Sequence, residues 1–120
     1  MKKISKETKQ LNKIIVEALL DMKAEEVITL DLRELEESVT DFYIVCHGNS
    51  TTQVSSLADT VYRKVKEEMG LTPKAQEGKA FANWILLDYF DVVVHVFHKE
   101  AREYYQLEEL WNDAETIEHK

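Results

Sequence analysis

The chain has 120 residues, 44% hydrophobic and 32% charged, and its 23 acidic residues outnumber 15 basic ones for a formal net charge of −8. This composition fits one folded domain over residues 1–120 and excludes disordered, collagen-like and low-complexity proteins. No apolar run approaches the roughly 20 residues of a membrane span, and the start from Met1 to Lys6 lacks the apolar stretch of a secretory signal. We therefore expect a cytoplasmic protein with no membrane partner. The acidic excess disfavours nucleic-acid backbones and favours a basic protein partner.

Cysteine and histidine usage points away from a metal or thiol centre. The single cysteine, Cys46, cannot form an internal disulfide, and the four histidines lack zinc-site spacing. His47 follows Cys46, but neighbours in a strand point apart, so we interpret Cys46 as a buried structural residue. His95 alternates with valines, which indicates a core histidine bordering an interaction surface. We expect no metal and no cofactor.

The first half of the chain alternates between helical and extended patterns. Apolar residues at helical spacing predict a helix over residues 5–23, and a period of two predicts a strand over 26–32. The β-forming run at 42–46, which Gly48 ends, predicts a central strand. Potential N-caps followed by an apolar stripe predict a second helix over 51–69.

The second half contains the remaining strands. A strand followed by a long helix implies a crossover to a parallel neighbour, and the stretch from Lys74 to Glu77 is the nearest candidate. The β-rich runs 84–88 and 91–97 are separated by Tyr89 and Phe90, which indicates an antiparallel hairpin with a two-residue turn.

A final helix and a frayed tail complete the prediction. Apolar and aromatic residues predict a helix over 100–112, and residues 114–120 carry no strong pattern. The order predicts an α/β fold, with a mixed sheet of about five strands and helices packed on it.

One group of residues suggests an enzyme. Gly48 and Ser50 lie at a strand-to-helix junction, where backbone N–H groups could hold a phosphate, although one glycine is not a phosphate-binding motif. Asp88 and Asp91 could hold a divalent ion for nucleotidyl transfer, but residues three apart in a strand point to opposite faces. A nucleotidyltransferase-like enzyme using these four residues remains the alternative to a binding protein.

A second group suggests a partner-binding surface. Trp84, Leu86 and Asp88 share one strand face, Tyr89 is expected at the exposed turn, and Tyr105 is expected on the helix after the hairpin. An aromatic anchor, an aliphatic wall and a carboxylate suit a partner bearing Arg or Lys. The alternative is that Trp84 and Tyr105 are core residues.

The motifs together closely resemble the bacterial ribosomal silencing factor, or Iojap-like, family over nearly the whole chain up to Ala114. They are Thr40–Cys46 with Gly48, Ser50, Gln53-Val54 and Ala58-Asp59; Glu77-Gly78; Trp84–Tyr89 with Asp91–Phe97; and Arg102–Trp111 with Asp113-Ala114.

The resemblance implies a nucleotidyltransferase-like α/β fold without demonstrated catalysis. It implies a translational repressor that binds ribosomal protein L-fourteen on the large ribosomal subunit and sterically blocks joining of the small subunit. Little direct contact with rRNA and a homodimer in the free state are also expected. The resemblance also implies that Trp84 and Tyr105 are part of the surface that meets ribosomal protein L-fourteen. The family usually has Gly where this chain has Phe90, which predicts a strained, bulged or longer turn.

Overall fold

The computed structural model describes residues 4–36 and 38–120, and residues 1–3 and 37 lie outside the description. The predicted α/β class and mixed sheet are confirmed, with six strands in place of about five. The elements in chain order are α1 (Lys6–Asp21), β1 (Glu25–Asp31), β2 (Phe42–Gly48), α2 (Thr51–Met69), β3 (Ala75–Glu77), β4 (Trp84–Asp88), β5 (Val92–His98), α3 (Lys99–Tyr105), α4 (Leu107–Leu110) and β6 (Glu115–Glu118).

The sheet has the order β3-β4-β5-β2-β1-β6. Its centre is the parallel pair of β2 and β5, and the other neighbouring strands are antiparallel. The prediction that the stretch at Lys74–Glu77 is the parallel neighbour of β2 was wrong. β5 takes that place because its apolar side chains need cover on both faces, whereas all three residues of β3 are exposed and suit an edge.

Helices α1 and α2 cover one face of the sheet and enclose the main core. Each begins at a serine whose hydroxyl accepts a backbone N–H: Ser5 from Thr8 and Ser50 from Gln53, each at 3.0 Å. Cys46 is fully buried in this core, and burial raises its pKa to about 12, as its interpretation as an unreactive residue requires. Within the described residues, no helix is long and apolar enough to cross a membrane.

The C-terminal segment differs from the prediction in two places. The predicted helix over residues 100–112 is broken at Gln106, which adopts a left-handed conformation with φ 50°. This break turns Leu107 onto the sheet, where it is buried, and leaves Tyr104 exposed. The tail after Asp113 does not fray, because β6 pairs antiparallel with β1.

The β4–β5 hairpin has the strained turn that Phe90 predicts. The N–H of Tyr89 donates to the carbonyl of Val92 at 2.8 Å, which places Phe90 and Asp91 at the tip. Phe90 has φ 81°, and the N–H of Asp91 donates to the carbonyl of Tyr89 at 3.1 Å. A positive φ inside such a three-residue turn is rare and strained for a residue with a side chain. The hydroxyl of Thr40 donates to the carbonyl of Phe90 at 2.9 Å and anchors the tip.

Candidate partner-binding face

The face of the sheet opposite α1 and α2 is only partly covered. Side chains of β4 alternate between the faces, so Ile85 and Leu87 enter the main core while Trp84, Leu86 and Asp88 lie on the opposite side. The opposite side has its own smaller core of buried residues: Ile28, Leu30, Leu32, Val45, Phe97 and Leu107. The short helices α3 and α4 leave the β4 side chains half-buried.

Trp84 is the centre of an aromatic group on this face. Its ring stacks on the ring of Phe97 with 4.7 Å between centroids, and it also contacts the ring of Tyr105 with 5.0 Å between centroids. Tyr105 is 54% exposed and packs edge-on against Tyr104, which is 75% exposed. We call Trp84, Leu86, Phe97, His95 and Tyr105 the aromatic face. Trp84 and Tyr105, which the sequence could equally have assigned to the core, therefore meet at a solvent-accessible surface.

His95 forms the floor of the aromatic face. Its Nδ1 accepts the indole N–H of Trp84 at 3.0 Å, so the ring proton of the neutral imidazole lies on Nε2. Nε2 is buried and has no hydrogen-bond partner among the described residues. Burial lowers the pKa of His95 to about 3, which keeps the ring neutral. The expected burial of His95 is confirmed, and its place beside an interaction surface stays a prediction.

Leu86 and Asp88 continue the face towards the hairpin tip. Leu86 is half-buried and pairs across the sheet with His95 on one side and Glu77 on the other. Asp88 accepts the backbone N–H of Phe90 at 2.8 Å, and its other oxygen lies 3.8 Å from the ammonium of Lys74. Asp88 therefore stabilises the turn and lies at the rim of the aromatic face.

Tyr89 is not on this face. It is buried in the main core, with 9% of its surface exposed, and the exposed residue of the turn is Phe90, at 66%. The alternation that places Ile85 and Leu87 in the core continues to Tyr89, so the predicted exposed position was wrong. Burial also raises the pKa of the Tyr89 hydroxyl.

The residues of the enzyme alternative do not converge. Ser50 caps α2, and Gly48 ends β2 close to Gln53, whose side chain accepts the N–H of Asn49 at 2.8 Å. Asp88 faces away from the main core, whereas the carboxylate of Asp91 accepts the hydroxyl of Thr8 on α1 at 3.3 Å. The two aspartates lie on opposite sides of the sheet: Asp88 stabilises the turn, and Asp91 joins the hairpin tip to α1. This arrangement cannot hold one metal ion between them.

Sequence reasoning missed two contributors to this region. Tyr43 on β2 contacts His95 edge-on at 4.5 Å, and the exposed ring of Tyr104 extends the aromatic face outward. Tyr43 could have been found only from the register of β2 and β5, which pairs it with Val93. Tyr104 and Tyr105 also line an open cavity of about 380 Å³, together with Asn83, His98, Ala101, Thr51 and Glu100.

Comparison with known proteins agrees with this architecture. The sequence model of the family described as "Ribosomal silencing factor during starvation" matches residues 5–120. The ribosomal silencing factor RsfS of Halalkalibacterium halodurans is 46% identical over 109 residues, covering 91% of this chain and 92% of that protein. A crystal structure of a Chromobacterium violaceum protein superposes with a TM-score of 0.81 at 39% identity, covering 87% of this chain and 85% of that one.

A more distant relative carries a related name. The mouse protein called mitochondrial assembly of ribosomal large subunit protein 1 is 30% identical over 78 residues, which are 63% of this chain and 34% of that protein. The family match covers nearly the whole chain, and the bacterial relatives match it over most of their own length. The chain therefore belongs to the ribosomal silencing factor family, which is named for a regulatory action on the ribosome and not for an enzymatic reaction.

Proposed function

We propose that this protein binds ribosomal protein L-fourteen on the large ribosomal subunit and blocks joining of the small subunit, so that it represses translation. The observation that carries the proposal is the aromatic face, where Trp84 and Tyr105 meet at an accessible surface beside the half-buried Leu86. Large aromatic side chains next to aliphatic ones are typical of the residues that dominate binding energy in protein interfaces.

The charge around the aromatic face suits a basic protein. The chain has a net charge of −8, which steers it towards basic ribosomal proteins and away from exposed rRNA. The cavity beside Tyr105 is lined by Tyr104 and by the acidic residue Glu100. Aromatic rings and a carboxylate around one cavity favour an Arg or Lys side chain, through cation–π and charge-assisted contacts.

The size of the domain fits a steric mechanism. Its principal extents are 38 × 33 × 27 Å, so when bound to an intersubunit surface it would fill space that the small subunit needs. Adding the protein to separated subunits should lower the fraction that associates, as measured by light scattering, and should hardly disturb preformed ribosomes. Co-sedimentation should recover the protein with the large subunit. Recovery with the small subunit alone, or with neither, would contradict the proposal.

Tyr105→Ala is the sharper test of the aromatic face. The Tyr105 ring is half exposed, so its removal should lower the free energy of unfolding by far less than the loss of about 3–5 kcal/mol expected for an emptied core site. Trp84→Ala would also leave His95 Nδ1 without its donor, so a loss of stability could not be separated from a loss of binding. We expect Tyr105→Ala to weaken large-subunit binding by about 2 kcal/mol or more.

Tyr62→Ala is the matched control, because Tyr62 lies on α2 across the sheet from the aromatic face. It should bind as the unmodified chain does. If Tyr105→Ala stays folded and also binds normally, the aromatic face is not the binding surface.

A further inference from the structure

Arg102 of α3 lies at a junction of four elements outside the aromatic face. Its side chain is 11% exposed, and its Nε donates to the carboxylate of Glu108 on α4 at 2.7 Å. Its Nη1 donates to the carbonyl of Glu26 on β1 at 2.9 Å and lies 3.0 Å from Nδ1 of His47 on β2. One guanidinium thus links α3 to β1, β2 and α4.

The β1 contact uses an irregularity of that strand. The β1–β2 register shifts between Glu25 and Ile28, and Glu26 has φ 45°, so the strand bulges there. The bulge takes the Glu26 carbonyl out of the strand ladder and presents it to Arg102. A guanidinium suits this place because its donors form a rigid planar set, whereas an ammonium offers one point of charge.

The β2 contact requires a neutral histidine. Arg102 can only donate, so His47 accepts at Nδ1 and carries its proton on Nε2. Burial, with the charge of Arg102 as a further cause, lowers the pKa of His47 below its usual value and favours this neutral form. The contact is therefore an N–H···N hydrogen bond between two largely buried side chains.

The polar junction matters because the C-terminal helices have few apolar anchors. None of the seven residues of α3 is buried, and in α4 only Leu107 is. Helix α3 nevertheless carries Tyr105, one turn beyond Arg102, and holds its ring 5.0 Å from Trp84. On α3 itself, Ala101 also packs on the smaller core, but its side chain is a single methyl group, so the junction is the main constraint on the distance between these two rings.

We propose that Arg102 is a positioning residue for partner binding: by fixing α3 to the β1 bulge and to His47, it holds Tyr105 against Trp84. This inference rests on the proposed function, in which the aromatic face binds the large subunit. Arg102 itself does not contact the partner and acts through Tyr105.

The test is a double-mutant cycle with Arg102→Met and Tyr105→Ala, measured as the affinity for purified large subunits. Arg102→Met should weaken binding at least tenfold in the unmodified chain but less than threefold in the Tyr105→Ala background, because its effect passes through the missing ring. Arg63→Met makes the same chemical change at an exposed position on α2 and should leave binding unchanged.

A second measurement follows the position of the ring directly. Nuclear Overhauser contacts between the Trp84 and Tyr105 rings should be strong in the unmodified chain and weak in folded Arg102→Met. If Arg102→Met does not fold, Arg102→Lys replaces it in the cycle, because an ammonium keeps the charge but lacks the planar set of donors that contacts Glu26, His47 and Glu108 together; we then expect at least a threefold loss.

The outcomes separate the inference from the function on which it rests. Normal binding by the folded Arg102→Met or Arg102→Lys variant overturns the inference, and so does an effect of equal size in both backgrounds, which would indicate a general structural role. If Tyr105→Ala itself binds normally, the aromatic face is wrong as the binding surface, and the positioning role falls with it.

Discussion

Acid should destabilise this protein through His95 in particular. The free imidazole has a pKa of 6.5, and burial beneath Trp84 lowers it to about 3. Between these values the unfolded chain binds a proton that the folded chain does not, so the free energy of unfolding falls as the pH falls from about 6.5. Above that pH, His95 is neutral in both states and the free energy of unfolding keeps its full value. At pH 5 the pH lies 1.5 units below the pKa of the imidazole in the unfolded chain, which lowers the free energy of unfolding by about 2 kcal/mol.

Urea unfolding at pH 7 and pH 5, followed by circular dichroism, measures this loss. The comparison is with His95→Gln, whose amide oxygen can still accept the N–H of Trp84 but cannot take up a proton. The unmodified chain should lose about 2 kcal/mol more than the variant between the two pH values. His47 and His119, whose pKa values burial also lowers, are present in both chains and cancel. An equal loss in both chains would refute the assignment of acid sensitivity to His95.

Two predictions concern residues with positive φ, one on backbone strain and one on a steric clash, and urea unfolding checks both. Phe90→Gly should relieve about 1 kcal/mol of strain at φ 81° and lose about 0.5 kcal/mol from the contact of Lys74 with the ring, a net gain of about 0.5 kcal/mol. Phe90→Ala, which keeps the strain, should not stabilise. In Gly78→Ala the new Cβ would lie 1.9 Å from the carbonyl oxygen of Trp84, whereas Gly70→Ala meets nothing within 4 Å. Both glycines have positive φ, so the first variant should lose about 2 kcal/mol more than the second, and equal losses would contradict the clash.

Local patterns were sufficient for the elements that bury a regular stripe. The range predicted for α2, residues 51–69, matches the structure, because its caps and apolar spacing are all local signals. The same alternation that separates Trp84 from Ile85 also places Tyr89 correctly in the core. Its position was mispredicted because the hairpin turn was assigned one residue too early, at Tyr89 and Phe90 instead of Phe90 and Asp91.

Features that depend on distant partners were not visible in the sequence. The four residues of β6 contain one apolar side chain, Ile117, and become a strand only because β1 offers an unpaired edge. The break at Gln106 has no glycine to signal it, and it serves to turn Leu107 onto the sheet. The polar junction at Arg102 requires the β1 bulge and His47 to be in place, so a lone arginine in an acidic segment gave no indication of it.

The pairing of β1 with β6 also bears on how the chain folds. The hydroxyl of Thr29 on β1 lies 2.8 Å from Nε2 of His119, a contact that joins residues 90 positions apart. During synthesis, β1 can pair with β2 early, but its other edge stays open until the last strand has been made. Contacts over such long separations slow folding, because the loop must close before the contact stabilises anything. A nascent chain that ended before residue 115 would leave β1 as an edge with free N–H and C=O groups, open to strands from other chains.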